Sequence, residues 1–280
     1  MRAVILTGGK GERLKPLTND TRKAFLPLGN KRVIDHIIDR LPKGLKFEIS
    51  EDDSGAIPAV NHAIKGRQPL MVICGDNYFS ENLDGFISAY GGYTLVGIHD
   101  ALILERARHL GVIELHLDGR QISRITEKPA HPATTLVSTG LYIFPPEVFC
   151  HIRNLAMTQP TANLGELIGH LLFFDPVYSY FFKGTWIDIG TRESYEQAVK
   201  FEATLFDTLD YGLKHIRDLT MQSKDLSDKE IPDSLWLAFF NKAYKGIEPQ
   251  LTKEDEKLFK LMEIAFEEMT WAKDLGKRIA

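Results

Sequence analysis

The sequence predicts an α/β protein, doubly wound around a mainly parallel mixed sheet, with a helical appendage at the C-terminus. Three observations carry this expectation. Short continuous apolar runs, "AVILT" and "LMVIC" among them, stop at glycines, as strands covered on both faces of a parallel sheet do. Segments with helical spacing alternate with those runs, which implies crossover connections. After about Phe201 the strand signals cease, and "KEDEKLFKLMEIAFEEMTWAKDL" sets apolar residues at helical intervals with charges between them. The expected organisation is a catalytic-size domain over residues 1–200 and a helical extension over 201–280.

Taken in order, "AVILT" is the first strand, and "RVIDHIIDRL" spaces Val33, Ile34, Ile37, Ile38 and Leu41 as a helix does. "KFEIS" reads as a strand and "AIPAVNHAI" as a short helix after Gly55. "LMVIC" is a buried strand ending at "GDN", followed by a helix in "DGFISAY" and a strand in "YTLVGI". "GVIELHL" and "QISRIT" flank Asp118–Gly119, which signals an antiparallel hairpin added to the sheet. "LVSTGLYIF" is a strand, and Pro145 and Pro146 open a helix in "PEVFCHIRN". "LGELIGHLL" is helical, "VYSYFF" and "GTWIDIGT" contain strands, and the pattern turns helical from Arg192.

Composition narrows the function classes. The net charge of -4 gives no general attraction to nucleic acid or membrane surfaces. Two cysteines, Cys74 and Cys150, lie far apart, which excludes a disulfide scaffold and a cysteine-rich zinc site and fits a reducing cytoplasm. The opening "MRAVILTGG" is too short for a signal segment, and no run reaches transmembrane length, so a cytoplasmic location is expected. The nine histidines show no metal-ligand spacing.

The first strand runs into "LTGGKGERLKPLTNDTRKAFLP", with Gly8, Gly9 and Gly11 close together, then Arg13 and Lys23. Glycines after a first strand let backbone N–H groups approach a phosphate, and arginine binds phosphate oxygens with two parallel bonds. A Walker A loop would need Gly-Lys-Ser/Thr, whereas Lys10 precedes Gly11 and Glu12. The dinucleotide pattern G-x-G-x-x-G matches Gly9 and Gly11 and fails at Leu14. Lys10, Lys15 and Arg22 read as solvated surface cations. Downstream, Asp76 lies just beyond "LMVIC", at the carboxyl end where open α/β sheets bind ligands. Asp188 follows another short strand, and two such carboxylates can share a divalent cation with phosphate oxygens.

"GGKGERLKPLT" followed by "KAFLPLGNK" resembles the double motif of the sugar-1-phosphate nucleotidyltransferases, G-G-x-G-T/S-R-L-x-P-L-T and K-P-x-L-P-x-x-G-x-P. "GDNYF", "GVIELHLDGRQISRITEKP", "STGLYIF", "GEL" and "WIDIGTRESY" resemble the family's later elements in the same order, so the resemblance covers about Met1 to Lys200. Among the family's members it resembles glucose-1-phosphate thymidylyltransferases and uridylyltransferases. The resemblance implies the Rossmann-like nucleotide-diphospho-sugar transferase fold and a Mg²⁺-dependent transfer of a nucleotidyl group from a nucleoside triphosphate to a sugar 1-phosphate, with release of pyrophosphate. Glucose 1-phosphate is the default acceptor.

The family's roles carry over to matching positions. Arg13 neutralises the leaving phosphates, Lys23 binds the reacting phosphates and Lys128 the sugar phosphate, so Arg13, Lys23, Asp76 and Lys128 are the implied catalytic residues. Leu6, Gly8, Gly9, Gly11, Gly55 and Asp76 are the implied nucleotide contacts. Gly111, Glu127, Lys128 and Gly140 are the implied sugar-phosphate contacts, and Asp76 and Asp188 the implied Mg²⁺ ligands. Glu127 and Lys128 could also form only an exposed ion pair, and Gly140 could mark a strand bulge.

The sequence departs from the pattern in three places. Glu12 replaces Thr or Ser, and Ala24 replaces the proline after the catalytic lysine. Between Leu41 and Gly75 an additional strand–helix unit, with its base-reading glutamine, is missing, and Ser50 or Glu51 stands where that glutamine is expected. Glu51, Asp52 and Asp53 are candidates to accept hydrogen bonds from a base amino group, or a solvated loop. Two alternatives remain open: nucleotidyl transfer to another phosphorylated alcohol, such as inositol phosphate or phosphocholine, and a regulator that binds a nucleotide sugar without catalysis. For the tail, homo-oligomerisation is expected from the cluster Trp236, Phe239 and Phe240, with an intrachain core as the other reading.

Overall fold

The computed structural model describes residues 1–9, 11–203, 231–232, 234–236, 238–239, 251–252 and 255–266. Contacts divide the chain into two compact units, Met1–Lys200 and Phe201–Ala280. The first unit runs, in chain order, through β1 (Arg2–Leu6), β2 (Pro27–Leu28), β3 (Lys31–Arg32), α1 (Val33–Arg40), β4 (Phe47–Ser50), α2 (Ala56–Ala63), β5 (Leu70–Cys74) and β6 (Asn77–Phe79). It continues through α3 (Asp84–Ser88), β7 (Thr94–Asp100), α4 (Leu104–Ala107), β8 (Gly111–Leu115), β9 (Ile122–Glu127) and β10 (Leu136–Phe144). α5 (Phe149–Thr158), α6 (Leu164–Leu171), β11 (Val177–Phe181) and β12 (Trp186–Asp188) follow, and residues 192–203 are helical.

The main sheet has the order β11-β7-β10-β5-β1-β4. β4, β1 and β5 are parallel neighbours, as are β7 and β11, and all five point the same way. The expected α/β fold with a mainly parallel mixed sheet is present. The hairpin of β8 and β9 is antiparallel as expected, with the Asp118 carboxylate accepting from the N–H groups of Arg120 and Gln121 in its turn. Antiparallel pairing also reaches the sheet centre, because β10 opposes both β5 and β7.

The apolar runs are continuous because both faces of the sheet are covered. Side chains alternate along a strand. Val4, Val72, Val96 and Phe144 therefore pack with α2, α5 and α6 on one face. Their neighbours Ala3, Ile5, Met71, Ile73, Leu95 and Ile143 pack on the other face with α1, Phe86 and Phe182. α6 is started by Asn163, whose Oδ1 accepts from Glu166 N–H while Glu166 Oε2 accepts from Asn163 N–H. Such reciprocal caps contribute about 1 kcal/mol.

In the second unit Trp236 and Phe239 are buried with Leu235, Phe259, Met262 and Ala265, the last three on a helix over 255–266. This is an intrachain core, so these two aromatics are not free to form an intersubunit surface, contrary to the basis on which oligomerisation was expected. Phe240 lies outside the described residues. Among the described residues, no helix is long and apolar enough to cross a membrane.

Candidate active site

The site forms beyond the carboxyl ends of β1 and β5. Gly75 N–H donates to Leu6 O at 2.8 Å, which ties the two strand ends together and sets Asp76 above them. A two-stranded ladder then brings in Asp188 from over a hundred residues away. β6 and β12 pair with Asn77 opposite Asp188, and Ile189 N–H donates to Asp76 O at 2.7 Å. The buried Asn77 fixes this ladder, because its Oδ1 accepts from Trp186 Nε1 at 2.8 Å and its Nδ2 donates to Cys74 O at 3.2 Å.

Lys23 enters through a 3₁₀ turn, Lys23–Phe25, and its Nζ lies 2.6 Å from Asp76 Oδ2. Burial opposes the lysine's charge, but the attraction of Asp76 and its hydrogen bond outweigh it, and the ammonium is held above its usual value. Burial, with Asp76 adding repulsion, pushes the Asp188 carboxyl up to about 7, against the pull of Lys23, Arg13 and Lys128. Ala24 is buried, and its methyl group packs under Gly75 within 3.2 Å of where a side chain there would begin, so the replacement of proline is accommodated in the core.

Arg13 lies on a second 3₁₀ turn, Glu12–Leu14, anchored by the buried Leu14 and a bond from Leu14 N–H to Gly11 O at 2.9 Å. Gly11 has φ 59°, and a side chain there would meet Thr18 and Lys23 within about 3.1 Å. Glycine is therefore dictated by both conformation and space. The negative charge of Glu12 is paired with Lys15 at 2.7 Å. Among the described residues Arg13 makes no ion pair, and its guanidinium faces the cleft beside Asp188 and Gly190.

The opposite wall comes from the hairpin, β10 and α6. Glu127 ends β9 directly across from Gly111, which starts β8. Its Oε2 lies between two glycines: a Cβ on Gly111 would stand 3.1 Å away and one on Gly165 2.7 Å away. Lys128 Nζ is 3.5 Å from Glu127 Oε1, so the ion pair exists while both groups border the same cleft. Lys128 has φ 44° and donates its N–H to Leu110 O at 3.0 Å. Gly140, at φ 73°, sits in the interval where the pairing of β10 with β7 shifts register, and a Cβ there would be 2.9 Å from Asn77 Nδ2. The glycine thus marks a bulge and also permits close approach to the Asn77 ladder.

Arg13, Lys23, Asp76, Gly111, Glu127, Lys128, Gly140 and Asp188 all border one cleft of about 340 Å³. Gly165 and Trp186 border it as well. Their motifs were legible, but Gly165's approach to Glu127 and Trp186's bond to Asn77 arise only from tertiary contacts.

Leu6, Gly8, Gly9, Gly11 and Gly55 do not border this cleft. Leu6 is spent on the strand ends described above. A side chain on Gly8 would run into Asp52 O at 2.6 Å, and one on Gly55 into Pro160 O at 2.7 Å, so the chain itself fills both positions. Gly9 instead borders a separate groove of about 550 Å³ with Arg22, Glu51 and Asp53. Arg22 is not a free solvated cation: its guanidinium makes two bonds to Asp53, at 2.6 and 2.9 Å, and its Nε lies 3.5 Å from Glu51. Asp52 accepts from the Ser54 hydroxyl and N–H and from His62, which hold its carboxyl down at about 2. All three acidic residues of this loop therefore have partners within the chain.

The arrangement gathers cations suited to anionic ligands and two carboxylates of the kind that can hold a divalent cation. Among the described residues no three histidine, cysteine or acidic side chains are placed to hold a metal ion together, so an ion held by Asp76 and Asp188 would draw its remaining ligands from substrate or water.

Comparison with known proteins agrees with this geometry. A family model described as Nucleotidyl transferase matches residues 2–50 and 45–204. Its two segments meet where the sequence is short. The chain is 25% identical over 240 residues to bifunctional protein GlmU of Methanocaldococcus jannaschii, covering 76% of this chain and 56% of that protein. It is 29% identical over 199 residues to UTP–glucose-1-phosphate uridylyltransferase AglF of Haloferax volcanii, covering 59% and 79% respectively. The chain thus spans little more than half the length of the first of these curated relatives. A solved structure assigned as a glucose-1-phosphate thymidylyltransferase from Bacillus anthracis superposes with a TM-score of 0.64 at 24% identity, covering 72% of this chain and 95% of that one, which establishes a shared fold. On the double glycine–lysine motif, the strand-end site and the extent of the family match, the chain belongs to the nucleotidyl transferase family.

Proposed function

We propose that the chain transfers a nucleotidyl group from a nucleoside triphosphate to a sugar 1-phosphate, releasing pyrophosphate. The observation that carries this reading is the convergence of Arg13, Lys23, Asp76, Glu127, Lys128 and Asp188 from separate segments onto one cleft. Two polyanions must meet there, and the cations present are suited to that task.

A phosphate oxygen of the sugar 1-phosphate attacks the α-phosphorus in line. The bond between the α-phosphorus and the bridging oxygen breaks, and pyrophosphate leaves with that oxygen. Positioning and charge neutralisation carry such a reaction. Arg13 receives the charge of the departing pyrophosphate, Lys23 holds the reacting phosphates, and Lys128 binds the sugar phosphate. Glu127, held between Gly111 and Gly165, accepts hydrogen bonds from sugar hydroxyls. No protein nucleophile takes part; burial pushes the Cys74 thiol up, away from the reactive thiolate.

Asp76 and Asp188 fit Mg²⁺: they are hard oxygen ligands brought together by the β6–β12 ladder, and both border the cleft. Bound there, the ion would supply further neutralisation of phosphate charge.

The test is pyrophosphate release measured over the nucleoside triphosphates against a panel of sugar 1-phosphates, with inositol phosphate and phosphocholine alongside. Release is expected only when a triphosphate and a sugar 1-phosphate are both present. Binding of a nucleotide sugar with no release under any combination would establish a regulator instead.

A further inference from the structure

The groove beside the catalytic cleft holds an anion-binding arrangement whose anion comes from the chain itself. Gly9, in the glycine turn, donates its N–H to Asp53 Oδ1 at 3.3 Å. The same carboxylate receives both arms of the Arg22 guanidinium, at 2.6 and 2.9 Å. A glycine-turn N–H and a forked guanidinium converging on one anion is the geometry that binds a phosphate, since the fork fits carboxylate and phosphate oxygens alike. Arg22 directly precedes Lys23, and the first borders the groove while the second borders the catalytic cleft. The pair is accessible: the Asp53 side chain is 62% exposed and the Arg22 side chain 27%.

We infer that Arg22 is a further triphosphate-binding residue, held in reserve by Asp53, whose carboxylate stands in the glycine turn in place of a phosphate. This rests on the proposed use of a nucleoside triphosphate, with part of its phosphate chain reaching the groove that Gly9 borders. A single carboxylate on an exposed loop is a weak competitor for a substrate carrying several charges. An arriving triphosphate takes the Gly9 N–H and the Arg22 fork, and like-charge repulsion moves Asp53 aside. The acidic loop then acts as an internal competitor that raises the concentration of nucleotide needed, and Arg22 as a ligand in the bound state.

Inorganic tripolyphosphate is the probe, because it needs neither the correct base nor turnover. Its affinity would be measured by calorimetry on the full chain and on Arg13→Met, Arg22→Met, Asp53→Ala and the Arg22→Met/Asp53→Ala double variant, with melting temperatures to establish folding. Asp53→Ala is expected to tighten binding several-fold. Arg22→Met is expected to weaken it by about tenfold in the Asp53→Ala background, the loss of one charge-assisted contact, and by less in wild type, where breaking the bonds to Asp53 offsets part of that contact. The inference is overturned if Arg22→Met has no effect once Asp53 is gone, because Arg22 then only neutralises Asp53. It is overturned equally if Asp53→Ala weakens binding. Binding that depends on Arg13 and not on Arg22 would overturn this inference and leave the proposed function standing, whereas no binding by the wild-type chain would overturn both.

Discussion

Replacing Gly165 by alanine separates the placement of Glu127 from the stability of the fold. The added carbon would stand 2.7 Å from Glu127 Oε2 and 3.1 Å from Asn163 Oδ1. Unstrained contact needs roughly 3.5 Å, so the carboxylate must retreat by about 0.8 Å or rotate away. Glu127 is long and flexible, which makes that retreat cheap for the fold. Helix α6 gains up to about 1 kcal/mol from the exchange of glycine for alanine. The neighbouring Asn163 cap, worth about 1 kcal/mol, is partly disturbed. The two changes oppose each other, and the melting temperature should stay within about 4 °C of wild type. Function is less forgiving, since a misplacement of about 1 Å in a substrate-positioning group costs up to about 10²-fold. Steady-state kinetics with sugar 1-phosphate varied at saturating triphosphate should show kcat/KM reduced by about ten- to a hundredfold. An unchanged kcat/KM in a folded variant would refute the assignment of Glu127 to the sugar.

Further outcomes follow from the same geometry. Asp76→Asn or Asp188→Asn should abolish Mg²⁺-dependent nucleotide-sugar synthesis with an unchanged circular dichroism spectrum, and turnover near wild type in either purified variant would remove that carboxylate from its role. Trp186→Phe orphans the buried Asn77 Oδ1, so urea unfolding should show a loss of about 1–3 kcal/mol; a loss within error of zero would contradict the ladder's dependence on this bond. Burial, reinforced by His151 at 3.3 Å, holds the His170 pKa below its usual 6.5. The fold therefore favours neutral His170, and its contribution is complete above about pH 6.5 and declines as pH falls through the lowered value. Urea midpoints at pH 8 and pH 5 should differ more in wild type than in His170→Gln, and equal differences would sink this reading.

Much of the architecture was legible because local patterns and tertiary burial agree. "AVILT" and "LMVIC" are strands covered on both faces, and the Asp118–Gly119 turn carries its own side-chain hydrogen bonds. The reversed direction of β10 was not legible, because an apolar strand carries no mark of its orientation. The β6–β12 ladder is only three residues long on each side, too short for a periodicity signal, yet it brings Asp76 and Asp188 together. The residues of the candidate site stood out through their motifs. Their supports did not: Asn77 and Trp186 are 109 positions apart, and Arg22 read as a solvated cation because its partner Asp53 lies 31 positions on. The acidic loop read equally well as a base-binding element, and only its contacts with Arg22, Ser54 and His62 reveal how it is held.

The most direct test follows the oxygen atoms. With a sugar 1-phosphate carrying ¹⁸O at its non-bridging phosphate oxygens, mass spectrometry of the products reports which bond forms. Attack by a sugar-phosphate oxygen on the α-phosphorus predicts a nucleotide sugar that retains every label and pyrophosphate that carries none. Label in the pyrophosphate, or pyrophosphate released without a labelled nucleotide sugar, would contradict the account.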